Sequence, residues 1–136
     1  MPDYDVAPSA RFISIAHQFV VPDLVKSAEY YRDVLGFEIL GYLGEPPRFA
    51  MLARDDVQIH LGQGSGPPAG SNATRRKHGL DAYIWVEDVE TLSGELKERG
   101  AKILDGPASR SYGLMEMVIE DLDGFRIGFG THPDSE

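Results

Sequence analysis

The stretches VPDLVKSAEYYRDVLGFEIL at residues 21–40 and VEDVETLSGELKERGAKIL at residues 86–104 share one layout. Each runs from the end of an apolar strand through an Asp, about three helical turns and a Gly into a new strand. The two stretches lie 64 to 65 residues apart in a chain of 136 residues. Two copies are too few for a solenoid. The repeat therefore predicts a duplicated α/β module whose sheets pair around one cavity.

Each copy carries residues that begin and end a helix. Asp23 and Asp88 are the predicted N-caps, because a carboxylate accepts the free backbone N–H groups of a first turn. Gly36 and Gly100 suit the left-handed backbone with which many helices end. Apolar and β-branched runs predict strands at residues 12–21, 37–43, 49–54, 57–61, 80–86, 101–104, 114–120 and 125–129.

This order predicts an α+β fold class with two βαβββ modules in tandem. We expect a single domain over residues 1–136, with module 1 at about 12–63 and module 2 at about 79–131. Residues 64–78, rich in Gly, Pro and Ser, form a linker or a lid over a site, since this loop is long for a small domain.

Composition excludes several classes of protein. The absence of cysteine excludes a disulfide scaffold, a thiolate metal site and a Cys nucleophile. Thirteen basic and 22 acidic residues give a net charge of −9, which argues against a nucleic-acid surface. The excess of acid either favours cationic ligands or only aids solubility. No run approaches the ~18 apolar residues of a membrane span, and no apolar signal segment is visible, so we expect a cytoplasmic protein with no membrane partner.

Two motifs, together with the βαβββ–βαβββ order, resemble the vicinal oxygen chelate superfamily of glyoxalases, extradiol dioxygenases and bleomycin-resistance proteins. The segment from Asp23 through YYRDVLGF at 30–37 is similar to the family pattern "D…FYrdvLGF". The segment from Tyr112 to Gly130 is similar to the ending of the bleomycin-resistance branch, although Leu122 replaces the usual Pro. The resemblance covers residues 12–130. It implies mixed sheets that curve around a cup, and a homodimer.

Metal-dependent members of this superfamily take four ligands from the cup face, and the resemblance carries these positions onto Ala16, His60, Asp81 and Gly128. Ala16 and Gly128 have no donor side chain, and catalytic metal sites normally offer three or more protein ligands. The resemblance therefore implies a cup without a metal. The alternative is a divalent ion such as Zn, Ni, Mn or Fe held by His60, Asp81 and Glu116.

Strand alternation assigns the remaining faces. His17 should point toward the helix layer with Phe19, as a core or hydrogen-bonded histidine. Trp85 and Tyr83 beside carboxylates suit a flat or cationic ligand, although Trp85 could instead fill a sheet interface. The predicted ligand-binding residues are Gln18, Gln58, His60, Asp81, Tyr83, Trp85, Tyr112, Glu116 and Arg126.

The function that the sequence favours is metal-free binding of a small aromatic or cationic molecule, as in antibiotic sequestration. The alternative is a lyase, isomerase or dioxygenase of the same superfamily, either metal-dependent or with His60 as an acid–base catalyst beside Glu116. The sequence leaves open whether the protein is an enzyme.

Overall fold

The fold consists of two α/β modules of the same topology, and the computed structural model describes residues 9–67 and 70–131. Residues 68 and 69 of the predicted linker, and residues 1–8 and 132–136 of the predicted domain, lie outside these ranges. The first module contains β1 (Ala16–Val21), α1 (Leu24–Asp33), β2 (Glu38–Leu43), β3 (Phe49–Arg54) and β4 (Val57–Gln63). A 3₁₀ turn at Asn72–Thr74 precedes β5 (Ala82–Trp85), α2 (Val89–Glu98), β6 (Lys102–Ser109), β7 (Met115–Glu120) and β8 (Arg126–Thr131).

The strands of each module form one mixed sheet. The strand orders are β1-β4-β3-β2 and β5-β8-β7-β6, with β1 parallel to β4, β5 parallel to β8 and the other pairs antiparallel. The predicted α+β class with tandem βαβββ modules is therefore confirmed. Among the described residues, β1 and β5 each have a single neighbouring strand, so the outer edge of each carries unpaired backbone groups. Neither α1 nor α2 is long and apolar enough to cross a membrane.

The predicted helix ends are confirmed. The Asp23 carboxylate accepts the backbone N–H three residues later at 3.2 Å, and the Asp88 carboxylate accepts the N–H of Thr91 at the same distance. Gly36 and Gly100 have φ angles of +76° and +90°, in the left-handed region that favours glycine. Equivalent signals in both modules thus produce equivalent helices.

The predicted strand at 12–21 is too long at its start, because β1 begins at Ala16. Ala16 lies opposite Gln58 of β4, and β4 itself begins one residue earlier, at Val57. Residues preceding position 15 therefore have no β4 residue to pair with. Phe12 and Ile13 are 94% and 93% exposed, although their side chains suit a strand.

Most other strands also differ from the predicted ranges, and β4 and β8 each end two residues later than predicted, at Gln63 and Thr131. The strand predicted at 80–86 begins at Ala82 and ends at Trp85, and the strand predicted at 101–104 extends to Ser109. The register of β6 shifts between Ile103 and Asp105 and again before Ala108. Such bulges let a strand continue past an interruption of its alternating pattern.

The helix-facing sides of both sheets share one hydrophobic core with the two helices. Phe19 of the first module stacks on Phe125 of the second, with ring centroids 4.3 Å apart. Tyr31 of α1 is fully buried, and its hydroxyl donates to the carboxylate of Asp121 at 2.6 Å. The two modules therefore pack through their helix-facing sides, which leaves the opposite face of each sheet outside this core.

The hairpin between β7 and β8 turns at Asp121 through Gly124. The Asp121 carboxylate accepts the backbone N–H groups of Asp123 and Phe125, both at 2.9 Å, and Gly124 has a φ angle of +90°. Burial raises the pKa of Asp121 to about 6, although hydrogen bonds from Tyr31 and the turn act in the opposite direction.

Candidate ligand-binding site

One aromatic residue of the second sheet lies over two glycines of the neighbouring strand. The Tyr83 ring of β5 covers Gly128 and Gly130 of β8. A Cβ atom added at Gly130 would lie 1.9 Å from the Tyr83 hydroxyl oxygen, and one added at Gly128 would lie 2.9 Å from Tyr83 Cδ2. Gly128 therefore does more than leave a ligand position empty, because its missing side chain makes room for Tyr83.

The Glu116 carboxylate is the centre of a polar cluster on the same face. It accepts hydrogen bonds from the hydroxyls of Tyr83, at 2.6 Å, and of Tyr112. Arg110 Nε approaches the same carboxylate at 3.4 Å, and the Arg110 guanidinium also pairs with Asp105 at 2.8 Å. Burial and the hydrogen bond to Glu116 raise the pKa of the Tyr83 hydroxyl, so this group stays a donor at neutral pH.

Trp85 extends the aromatic surface toward the end of β5. Its ring meets that of Tyr83 edge to face, with centroids 5.1 Å apart and planes at 67°. Trp85 is 56% exposed and so does not fill an interface inside the chain. Tyr112 is also exposed, at 64%. We call this surface the aromatic face, and it consists of Tyr83, Trp85, Tyr112 and Glu116.

The predicted residues of the first sheet form a separate group. His60 Nε2 lies 3.3 Å from Gln58 Oε1, and the His60 ring contacts Phe49 with centroids 5.2 Å apart. Gln18 of β1 lies opposite His60 in the strand register. Gln18, Gln58 and His60 therefore lie on the first sheet, whereas the aromatic face belongs to the second.

Asp81 makes hydrogen bonds to the linker that the sequence did not predict. It precedes β5, and its carboxylate accepts hydrogen bonds from Ser71 Oγ at 2.6 Å, Asn72 N at 2.7 Å and Arg126 N at 2.8 Å. Asp81 therefore ties the linker to the start of β8. Its backbone N–H donates to the Arg126 carbonyl at 2.8 Å, so Asp81 continues the pairing of β5 with β8, and its part in ligand binding stays a prediction. Arg126 is half-buried at the start of β8.

The donors proposed for a metal do not converge. His60 contacts Gln58 on the first sheet, Asp81 binds the linker, and Glu116 is engaged by the tyrosines of the second sheet. Across residues 9–67 and 70–131, no three His, Asp or Glu side chains lie close enough to hold a metal ion. A divalent metal thus does not fit the donors in the described part of the chain, and metal-free binding stays a prediction.

His17 and Arg110 show the limits of strand alternation. The His17 ring lies 4.6 Å from that of Phe19, on the predicted side of β1, but His17 is exposed and does not belong to the core. Arg110 was not predicted, because it follows the end of β6, which extends beyond its predicted range. The alternating glycines in RIGFG at 126–130 are a sequence signal that could have revealed the space for the Tyr83 ring.

Comparison with known proteins agrees with this architecture. A sequence model described as the Glyoxalase/Bleomycin resistance protein/Dioxygenase superfamily matches residues 13–129. The chain is 25% identical over 118 residues to a probable lactoylglutathione lyase of Synechocystis, covering 79% of this chain and 86% of the relative.

Two solved structures have the same fold. TioX from Micromonospora sp. ML1 has a TM-score of 0.71 at 21% identity and covers 89% of this chain and 99% of its own. TnmS3, an antibiotic binding protein from Streptomyces sp. CB03234, has a TM-score of 0.65 at 26% identity, covering 90% of this chain and 98% of its own. The chain belongs to the Glyoxalase/Bleomycin resistance protein/Dioxygenase superfamily.

Proposed function

We propose that the protein binds a flat or cationic small molecule on the aromatic face without a metal, in the manner of an antibiotic-sequestering protein. The observation that carries this proposal is the exposure of Trp85 and Tyr112 beside the Tyr83–Glu116 pair. Exposed aromatic rings offer a planar ligand large contact areas at little cost in conformational entropy.

The charge of the site selects for cations. Glu116 provides a carboxylate under the rings, and aromatic faces attract ammonium groups through their quadrupole. Arg110 offsets part of this charge locally, but the net charge of the chain is −9 and favours the approach of a cation. The relative TnmS3 is described as an antibiotic binding protein, which supports a small-molecule ligand. The same net charge argues against a nucleic-acid partner, and the absence of cysteine is consistent with the cytoplasmic location expected from the sequence.

A second copy would complete the cup. One chain exposes the aromatic face on one sheet and the Gln18–His60 group on the other, and both β1 and β5 have an unpaired edge among the described residues. A two-fold dimer would place the first sheet of one copy beside the second sheet of its partner. We expect a homodimer in sedimentation velocity at micromolar concentration, and a strict monomer would contradict this arrangement.

The binding proposal is tested by calorimetric titration with berberine, a planar quaternary cation, and with bleomycin. Trp85→Ala should weaken binding by about 1–3 kcal/mol through the loss of a stacking surface. Glu116→Gln keeps the shape of the side chain and should weaken cationic ligands more than neutral ones of the same shape. Tyr42→Ala, an exposed tyrosine of β2 on the other sheet, is the matched control and should leave affinity unchanged. Binding that survives both Trp85→Ala and Glu116→Gln would overturn the proposal.

The second candidate function is a lyase, which the relationship to a probable lactoylglutathione lyase favours. In that case His60 would act as an acid–base group in a site completed by the second copy. Turnover of the hemithioacetal of methylglyoxal and glutathione, lost in His60→Ala and retained in Trp85→Ala, would establish this candidate in place of sequestration.

A further inference from the structure

The two modules meet at two junctions that correspond to each other through the internal repeat. Phe19 of β1 pairs with Leu61 of β4, and Ile84 of β5 pairs with Phe129 of β8 in the same register. Phe19 therefore corresponds to Ile84. By the same alignment of β4 with β8, Phe125 directly before β8 corresponds to Val57 at the start of β4. Tyr31 and Leu96 also correspond, because each stands eight residues after the N-cap Asp of its helix.

The first junction is filled by large rings. Phe19 and Phe125 stack at 4.3 Å and are 4% and 6% exposed. Tyr31 is fully buried and reaches the carboxylate of Asp121. This packing leaves the two modules in close contact.

The second junction has smaller side chains at all three corresponding positions, Ile84, Val57 and Leu96, and it contains a cleft of about 580 Å³. Its apolar walls are completed by Leu35, Phe37, Trp85, Val86, Leu92 and Phe129. Small-molecule sites commonly occupy about 300–1,000 Å³ and are lined mainly by apolar groups. The cleft thus exists because aliphatic side chains stand where the other junction has aromatic rings.

The charged residues of the cleft are predominantly acidic. Five carboxylates and one guanidinium line it, and these are Asp55, Asp56, Glu87, Asp88, Glu95 and Arg54. Glu95 pairs with Arg54 at 2.8 Å, and Asp88 caps α2. Asp55, Asp56 and Glu87 are exposed at the rim. Carboxylates around a low-dielectric cleft create a potential that concentrates cations.

We propose that this cleft between the modules is a second binding site, for a compact organic amine, and that it shares only Trp85 with the aromatic face. The apolar body of the amine occupies the space among Ile84, Val57 and Leu96, and its ammonium group faces Asp56 and Glu87. Trp85 lines the cleft and also touches Tyr83, so quenching of its fluorescence reports on both sites. Assignment of a ligand to one site therefore needs variants specific to each.

The test uses three naphthalene probes of one shape in calorimetric titrations of the full chain: 2-naphthylmethylamine, 2-naphthylmethanol and 2-naphthoate. The amine should bind most tightly, the alcohol less tightly and the carboxylate least, and only the amine should weaken with added salt. Val57→Phe reproduces the filled junction and should weaken the amine by about tenfold or more, because the ring takes up the space of the probe. Tyr83→Ala should remove any binding of the amine to the aromatic face, and it should leave unchanged the binding step that Val57→Phe weakens.

A second pair of substitutions keeps the test independent of core packing. Asp56→Asn combined with Glu87→Gln changes only exposed side chains and should weaken the amine by about fivefold, with the alcohol unaffected. Equal affinity for all three probes would overturn the proposal. So would amine binding that Val57→Phe leaves intact but Tyr83→Ala abolishes, and that result would place the amine on the aromatic face instead.

Discussion

The contact between Tyr83 and Gly130 gives the sharpest prediction about the aromatic face. In Gly130→Ala, the new Cβ would lie 1.9 Å from Tyr83 Oη and 2.8 Å from Cζ, far inside any van der Waals contact. Gly130 does not adopt the left-handed backbone, so the collision is the cause of strain. The Tyr83 ring must swing away and give up its 2.6 Å hydrogen bond to Glu116.

The expected size follows from these contacts. Overpacking costs about 1–3 kcal/mol, and a hydrogen bond to a charged group contributes about 1.5–3 kcal/mol. Two effects reduce the sum: half-buried Tyr83 can rotate toward solvent, and alanine loses less backbone entropy on folding than glycine by about 0.5–1 kcal/mol. We therefore expect Gly130→Ala to lower the free energy of unfolding by about 2 kcal/mol, measured by urea denaturation with circular dichroism.

The repeat supplies a matched control. Gly62 pairs with Val20 as Gly130 pairs with Trp85, and a Cβ added at Gly62 meets nothing within 4 Å. Gly62→Ala should change stability by less than about 0.5 kcal/mol. In a Tyr83→Ala background, Gly130→Ala should likewise change the free energy of unfolding by less than about 0.5 kcal/mol. An equal loss in both backgrounds would refute the view that Tyr83 rests on Gly130.

The remaining predictions concern pH, the linker and metals. The pKa of Asp121 is raised to about 6, so the contribution of this group to stability is fully present below pH ~4 and is lost as pH rises through 6. Chemical denaturation at several pH values should show a loss of about 3 kcal/mol in the free energy of unfolding, and Asp121→Asn should remove this pH dependence. Asp81→Ala should lower the free energy of unfolding by about 2–4 kcal/mol, since three hydrogen-bond donors lose their acceptor. A change in ligand affinity at unchanged stability would contradict the view that Asp81 ties the linker to β8. Added Zn²⁺, Ni²⁺, Mn²⁺ or Fe²⁺ should raise the melting temperature very little, and EDTA should not change ligand binding. Stoichiometric metal in untagged protein that is lost in His60→Ala would contradict this prediction.

The sequence predicted the fold because its signals are local and occur twice. Capping residues such as Asp23 and Gly36 act within one helical turn, and alternation within a strand decides which side chains share a face. Strand ends depend on the neighbouring strand instead. Phe12 has the composition of a strand residue, but β4 begins too late to pair with it.

The candidate site was predictable only in part, since its arrangement depends on contacts between distant residues. Tyr83, Trp85 and Glu116 follow from alternation, and the structure brings them together on one sheet. The hydrogen bonds of Asp81 to the linker do not follow, because no local pattern shows that Ser71 lies within reach. The cleft at the second junction depends on comparing positions across the repeat, which requires the registers of both sheets.

The central claim is that the ligand lies on the aromatic face, and amide chemical-shift mapping with berberine tests it most directly. In ¹H–¹⁵N spectra of the full chain, the largest shifts on titration should occur at Tyr83, Glu116 and Gly130. These shifts should disappear in Tyr83→Ala. The account would be contradicted if the amide signal of Gly130 did not shift and the largest shifts instead occurred at Leu35 and Leu96, or only at Gln58 and His60.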